Sequence, residues 1–230
     1  PGAGKSTILE FLWKCLGRDE YEGFDLLKAT QAGRRRAFSQ VSNLPVVIIE
    51  SDRDGEKDAK QRQFGFDEMK PFFNGRGTGT LGVATRSNAT EEHLFQGALL
   101  IAQNAEVDGS EALLQRIVHC HADKKHHVPG TREIARWFER QRAEDVGGFL
   151  TAALKAESAI LDEYRKAFVE IEARYSASEA LRNERVIKNH AQVAACGCAL
   201  SVLFPVFDQK WRDGLEEYLL GRAIERERRL

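Results

Sequence analysis

The chain has 230 residues, a formal net charge of −1, 42% hydrophobic and 30% charged residues, which is the composition of a folded globular chain. No apolar run approaches the ~20 residues that a membrane-spanning helix needs, and near-neutral charge supplies no global argument for nucleic acid, so any such argument must be local. Four cysteines, Cys15, Cys120, Cys196 and Cys198, lie scattered in apolar contexts and read as the reduced thiols of a cytoplasmic protein.

The sequence begins Pro1-Gly2-Ala3-Gly4-Lys5-Ser6-Thr7. Gly4, Lys5 and Ser6 end the phosphate-binding pattern G-x-x-x-x-G-K-[ST], whose leading glycine would lie two residues before Pro1. In such a loop backbone N–H groups cradle phosphates, the lysine reaches the β- and γ-phosphates, and the following hydroxyl ligates Mg²⁺. Gly2 to Thr7 are therefore the expected ATP contacts, and Ser6 an expected metal ligand. Ile8, Leu9, Phe11, Leu12 and Leu16 then recur at helical spacing. That context is required, because a helix N-terminus offers unpaired N–H groups and a partial positive charge to phosphate. The alternative is a glycine turn capped by Ser6. With half of the loop and its preceding strand not in the sequence, the chain reads as a piece of a longer protein. It is expected to bind ATP weakly or not at all by itself.

Residues 20–44 read as a connecting layer with a short strand or turn at 23–27 and a helix from Gln31 to Val41. Its three adjacent arginines, Arg34, Arg35 and Arg36, cannot share one face. Pro45-Val46-Val47-Ile48-Ile49 is a β-branched run of the kind buried on both faces in a parallel sheet. It is followed by Glu50-Ser51-Asp52. Nucleotide hydrolases place an acid at the end of such a strand to hold Mg²⁺ and polarise the attacking water. Glu50 is assigned that role and Asp52 a supporting one; the bland alternative is that both open the solvated loop that follows. A second strand, Gly97 to Ala102, leads to Gln103 and Asn104. Asn104 is assigned to sensing the γ-phosphate or the water, with a turn asparagine as the alternative. Ser110 to His119 puts Arg116 after a short helix and just before another short apolar strand. An arginine offered to a neighbour's γ-phosphate stabilises transition-state charge, by about 10³–10⁵ in rate. A local ion pair is the alternative use.

In this order, phosphate loop, acid strand, helix, hairpin, amide strand and arginine, residues 1–125 resemble the ATPase core of superfamily 3 helicases. These are a branch of the AAA+ proteins, and the likeness is to the helicase-like domains joined to primases in phages, plasmids and integrating elements. The most specific stretch is the middle. Phe66 to Arg76 looks like that family's helix ending in a glycine-containing turn. Thr80 to Arg86 and Glu91 to Gln96 then flank Ser87-Asn88-Ala89-Thr90 as two strand-like segments joined by a polar turn. The resemblance implies a hairpin that touches single-stranded DNA in a ring's central channel, with Arg86, and Arg76 at its base, carrying the phosphate contact. It also implies a five-stranded parallel-type sheet with helices on both faces, a hexameric or otherwise oligomeric ATPase, Arg116 acting on a neighbour's ATP, and an upstream primase-type domain.

His119-Cys120-His121 and His126-His127 supply only one half of a zinc pattern, so a basic loop after an edge strand is expected instead. After Pro129-Gly130 the strand signals stop, which divides the chain into a phosphate-loop ATPase core, 1–128, and a helical lid or C-terminal bundle, 129–230. A short helix is expected from Arg132 to Arg142. Leu161, Tyr164, Phe168, Ile171 and Tyr175 form one apolar stripe on a long helix. A further helix runs from Arg185 to Phe204, stopped by Pro205, and resembles a lid helix of those relatives; Arg185 or Lys188 could approach a phosphate from it. The last helix, Trp211 to Leu230, ends in a basic Arg226-Glu227-Arg228-Arg229 that is expected to be solvated. The leading reading is an ATP-hydrolysing motor domain of a replication helicase. Its rivals are a phosphate-loop kinase or nucleotide-dependent switch, and a degenerate mobile-element ATPase that only binds.

Overall fold

A computed structural model describes residues 3–19, 33, 38, 42–49, 66–77, 80–82, 90–92, 94–103, 107 and 109–230. It is a mixed α/β structure dominated by helices, and it divides into two compact units. One comprises Pro1–Leu9 and Tyr21–Leu113, the other Glu10–Glu20 and Leu114–Leu230.

The described strands of the first unit all lie between residues 42 and 102. Strand β1 (Ser42–Ile49) and strand β4 (Gln96–Ala102) pair in parallel, in register from Pro45↔Ala98 to Ile49↔Ala102. Val46, Val47 and Ile48 are all buried, as an unalternated β-branched run requires when both faces are covered. Between them, β2 (Thr80–Gly82) and β3 (Thr90–Glu92) pair antiparallel, with Gly82 opposite Thr90. Thr90, expected in the turn, is thus already in a strand.

The expected helix after Phe66 is a 3₁₀ helix, Phe66–Asn74, closed by Gly75 at φ 69°. Its apolar residues explain the winding. Phe66, Met69 and Phe72 are three apart, which aligns them on one edge at three residues per turn. There they join Phe38, Val46, Ile48 and Phe95 in the core of this unit. The rings of Phe72 and Phe95 are 4.5 Å apart and those of Phe38 and Phe72 4.7 Å. A short helix, α2 (Glu111–Leu114), follows β4, and Ser110 at its entrance donates to Asp67 Oδ1 at 2.8 Å. That bond, and then Lys70, hold the Asp67 carboxyl below its ordinary range.

The second unit is helical. Helix α1 (Lys5–Cys15) contributes its C-terminal part: Phe11 stacks on Phe138 at 4.4 Å, and Lys14 Nζ donates to the Phe138 and Glu139 carbonyls that end α3 (Thr131–Arg140). Two short helices, α4 (Ala143–Val146) and α5 (Gly148–Lys155), lead to α6 (Glu157–Ser176), α7 (Glu184–Ala199) and α8 (Gln209–Glu227). Helix α7 is packed against both of the others. It can be, because Ala191, Ala194, Ala195 and Gly197 keep its buried face thin. The α6 stripe sinks towards its end: Leu161 is exposed, Tyr164 and Phe168 half-buried, Ile171 and Tyr175 fully buried. Tyr175 donates its hydroxyl to the Glu216 carbonyl at 2.7 Å.

Three expectations are corrected in this unit. Ile117 to Asp123 form no strand, because Val118 packs on the helical core instead of extending a sheet. Helix α7 ends at Ala199 and continues as a 3₁₀ turn, Leu200–Val202, rather than running to Phe204. Arg226, expected in solvent, is 7% exposed. None of the four cysteines is disulfide-bonded; Cys196 is exposed and Cys198 buried, on different faces of α7. Among the described residues no helix is long and apolar enough to cross a membrane.

Candidate functional site

At the start of α1, Gly4 has φ 80°, a left-handed conformation that side chains rarely adopt. Among the described residues beyond its chain neighbours, no atom lies within 4 Å of where its Cβ would be. Its carbonyl accepts from Ile8 N at 3.1 Å, so α1 begins directly after it. Lys5, Ser6 and Thr7 are then the first helical residues, and their N–H groups have no acceptor inside the helix. A left-handed glycine followed by such N–H groups makes a concavity for an anion. Ser6 is exposed, Lys5 and Thr7 half-buried. The described part of the loop, Ala3 to Thr7, offers open backbone at Gly4, a lysine beside it, and a hydroxyl at the helix start. Gly2 lies outside the described residues.

The two strands that lead to the acid and amide positions are neighbours, and their last residues, Ile49 and Ala102, are paired. Parallel strands in register end at the same sheet edge, and Gln103 follows that edge. Glu50, Asp52 and Asn104 themselves lie outside the described residues, as do Arg86 and Arg34 to Arg36.

Arg76 is fixed on Glu92. Its Nε donates to Oε1 at 2.9 Å and its Nη2 to Oε2 at 2.5 Å, while Gly77 N also donates to Oε1 at 3.0 Å. This two-pronged pair joins the glycine turn after the 3₁₀ helix to β3. The hydrogen bond from Arg76 holds the Glu92 carboxyl below its ordinary range and raises the guanidinium in return. At the base of the hairpin Arg76 therefore acts first as a brace for β3.

Arg116 follows α2 and belongs to the second unit. It is half-buried; burial, then the nearby charge of Arg185, lower its pKa from the ordinary arginine value. The preceding residue is tied twice to α7. Arg185 Nη1 donates to Gln115 Oε1 at 3.1 Å, and Asn189 Nδ2 donates to the Gln115 carbonyl at 2.9 Å. Arg185, read from the sequence as a lid residue, thus lies close to Arg116. Neither Gln115 nor Asn189 was singled out by motif or spacing. The available signal was Asn189 itself, a polar residue on the apolar face of a helix.

The histidine cluster is organised around Asp123, which caps a 3₁₀ turn, Lys124–His126. Its carboxylate accepts from Lys125 N at 2.8 Å and meets His121 Nε2 at 3.3 Å, while its own N–H donates to His126 Nδ1 at 3.1 Å. The segment is a capped loop rather than the sequel of an edge strand. Among the described residues no three His, Cys, Asp or Glu side chains are grouped to hold a metal ion.

No protein-family model, curated protein or solved structure matches this chain.

Proposed function

We propose that the chain is the ATP-hydrolysing motor domain of a DNA helicase or primase–helicase-like replication protein, working as an oligomer on single-stranded DNA. The observation that carries this reading is Gly4 in a left-handed conformation opening directly into α1, with Lys5 and Ser6 in its first turn. A glycine turn needed only for capping has no use for a lysine and a hydroxyl at those two places, whereas a phosphate cradle needs both.

Within this reading Gly2 to Thr7 bind the phosphates of ATP, Lys5 faces their charge, and Ser6 with Glu50 would hold Mg²⁺. The cation would supply positive charge against the charge that develops on the phosphates. Glu50, or Asp52 in its place, accepts a proton from the attacking water, and Asn104 reads the γ-phosphate from the neighbouring strand. Arg116 completes the site of an adjacent subunit. The in-register pairing of β1 and β4 supports the placing of Glu50 and Asn104 after one sheet edge, the position at which ligands bind in open parallel sheets. Arg86 contacts the DNA backbone from the hairpin, and Arg76 braces it.

The test is ATP hydrolysis by the intact protein, with and without single-stranded DNA, beside its Lys5→Ala variant. Hydrolysis stimulated by DNA and lost in Lys5→Ala is the expected result. Wild-type ATP affinity and turnover in Lys5→Ala overturns the phosphate site. ATP binding without turnover returns the binding-only reading, and transfer of phosphoryl to a small molecule returns the kinase reading.

A further inference from the structure

Gln115 is held at both its main chain and its side chain by one face of one helix. Arg185 and Asn189 are four residues apart on α7, so they project from the same side. One donates to the Gln115 side-chain oxygen and the other to its carbonyl. Asn189 is 6% exposed, among the core residues Val186, Ile187 and Ala191. An amide in such a place destabilises the fold unless it is hydrogen-bonded. The carbonyl it satisfies belongs to the peptide bond that leads into Arg116. On the other side of Arg116, Val118 packs against the same helical core. The backbone of Arg116 is therefore anchored just before and just after, in both cases to the helical unit.

We propose that Asn189 and Arg185 are positioning residues for Arg116: through Gln115 they fix the point from which the arginine reaches a phosphate. The inference rests on the motor reading, in which Arg116 acts on ATP. A finger acts only where transition-state charge appears, and a displacement of roughly 1 Å costs about a hundredfold in rate. A side chain as long and flexible as arginine gains such precision only if its root is held. The guanidinium of Arg185 has a second consequence. It places another positive charge near Arg116.

The experiment uses the intact protein and a double-mutant cycle. Asn189→Leu keeps the branched shape of the side chain but removes the donor. It is expected to lower kcat about tenfold to a hundredfold with ATP affinity unchanged, and to do nothing further when Arg116 is already alanine. Arg185→Met, at an exposed position where folding is not at stake, is expected to lose about threefold to tenfold, again only when Arg116 is present. Amide hydrogen exchange across residues 114–117 is expected to speed up in Asn189→Leu without nucleotide. Unchanged kcat in both variants, or losses that multiply with that of Arg116→Ala, overturns the positioning role and leaves the finger standing. Full turnover in Arg116→Ala removes the finger, and with it this proposal, before the cycle begins.

Discussion

His190 is 1% exposed, and its Nδ1 lies 2.8 Å from the Val186 carbonyl. A carbonyl only accepts, so Nδ1 carries the proton and the ring is the neutral tautomer with a bare Nε2. Among the described residues that buried nitrogen has no hydrogen-bond partner. Charging the ring would put a proton on it, and burial first, then Arg226 and Arg222, oppose this by lowering the pKa. The unfolded chain has no such obstacle and takes up the proton near the ordinary value of about 6.5. Below that pH the unfolded state binds the extra proton, so stability falls as pH drops towards the lowered folded-state value. We expect His190→Gln to flatten the decline in Tm between about pH 7 and pH 5. An unchanged slope would show that the decline comes from other groups. Tyr175 is a second such residue. Its hydroxyl donates to Glu216 O from a fully buried ring, and burial, then Glu216, raise its pKa. Tyr175→Phe should cost about 1 kcal/mol in urea unfolding, since the Glu216 carbonyl loses its donor. Neither role was legible in the sequence. Tyr175 reads correctly as the end of an apolar stripe, but its hydroxyl bond depends on where α8 passes. Arg226 illustrates the same limit: a basic helix end suggests solvent, and only the packing of the last helix buries it.

At the level of elements, period and punctuation carried far. The run Pro45 to Ile49 is a strand with Val46, Val47 and Ile48 buried, Gly97 to Ala102 is its parallel neighbour, and the α6 stripe turns to the core towards its end. Two of the misreadings share one cause. The apolar Ile117-Val118 fits a bundle as well as a sheet, and the apolar residues past Ala199 fit a 3₁₀ turn as well as a longer helix. Periodicity counts apolar residues but does not say which core receives them. One close approach does have a clear consequence. A Cβ on Gly97 would lie 2.7 Å from the Leu44 carbonyl, where the β1–β4 register shifts between Ser42 and Pro45. Backbone cannot step aside as a side-chain end can, so Gly97→Ala should push the strands apart. We expect a loss of about 1–3 kcal/mol in denaturant unfolding, as for other overpacked sites. Helix α7 provides a contrasting case at its entrance. The Asn183 side chain accepts from Arg185 N and Val186 N at 3.1 and 3.2 Å. Asn183→Ala should cost about 1 kcal/mol through the lost cap, a loss that Asn183→Ser should largely restore. Equal stability of all three chains would mean that packing alone fixes the start of α7.

Across the whole molecule, the composition shift after Pro129-Gly130 marks where strand signals stop. Packing, by contrast, assigns Leu114 onward, together with Glu10–Glu20, to the helical unit. Long-range contacts such as Phe11 on Phe138, or Ala143 N donating to Asp19 Oδ1 at 2.5 Å, leave no mark in a local window. That assignment bears on the motor reading, because it puts the start of α1 in one unit and Arg116 in the other. If Arg116 serves a neighbour's ATP, two defective subunits should repair each other. Arg116→Ala keeps its own loop, and we expect its ATP affinity to be nearly unchanged while turnover falls about 10³-fold or more, since the guanidinium meets charge that forms chiefly in the transition state. Lys5→Ala keeps its arginine but has no working loop. Mixed in equal amounts in a closed ring with random placement, roughly a quarter of interfaces pair an intact loop with an intact arginine. Turnover should then rise well above that of either variant alone, and it should depend on the mixing ratio with a maximum near equality. Size-exclusion chromatography with one variant labelled establishes that subunits exchange. No recovery at any ratio in such an exchanging assembly would confine Arg116 to its own subunit, and the oligomeric motor would lose its catalytic reason to assemble.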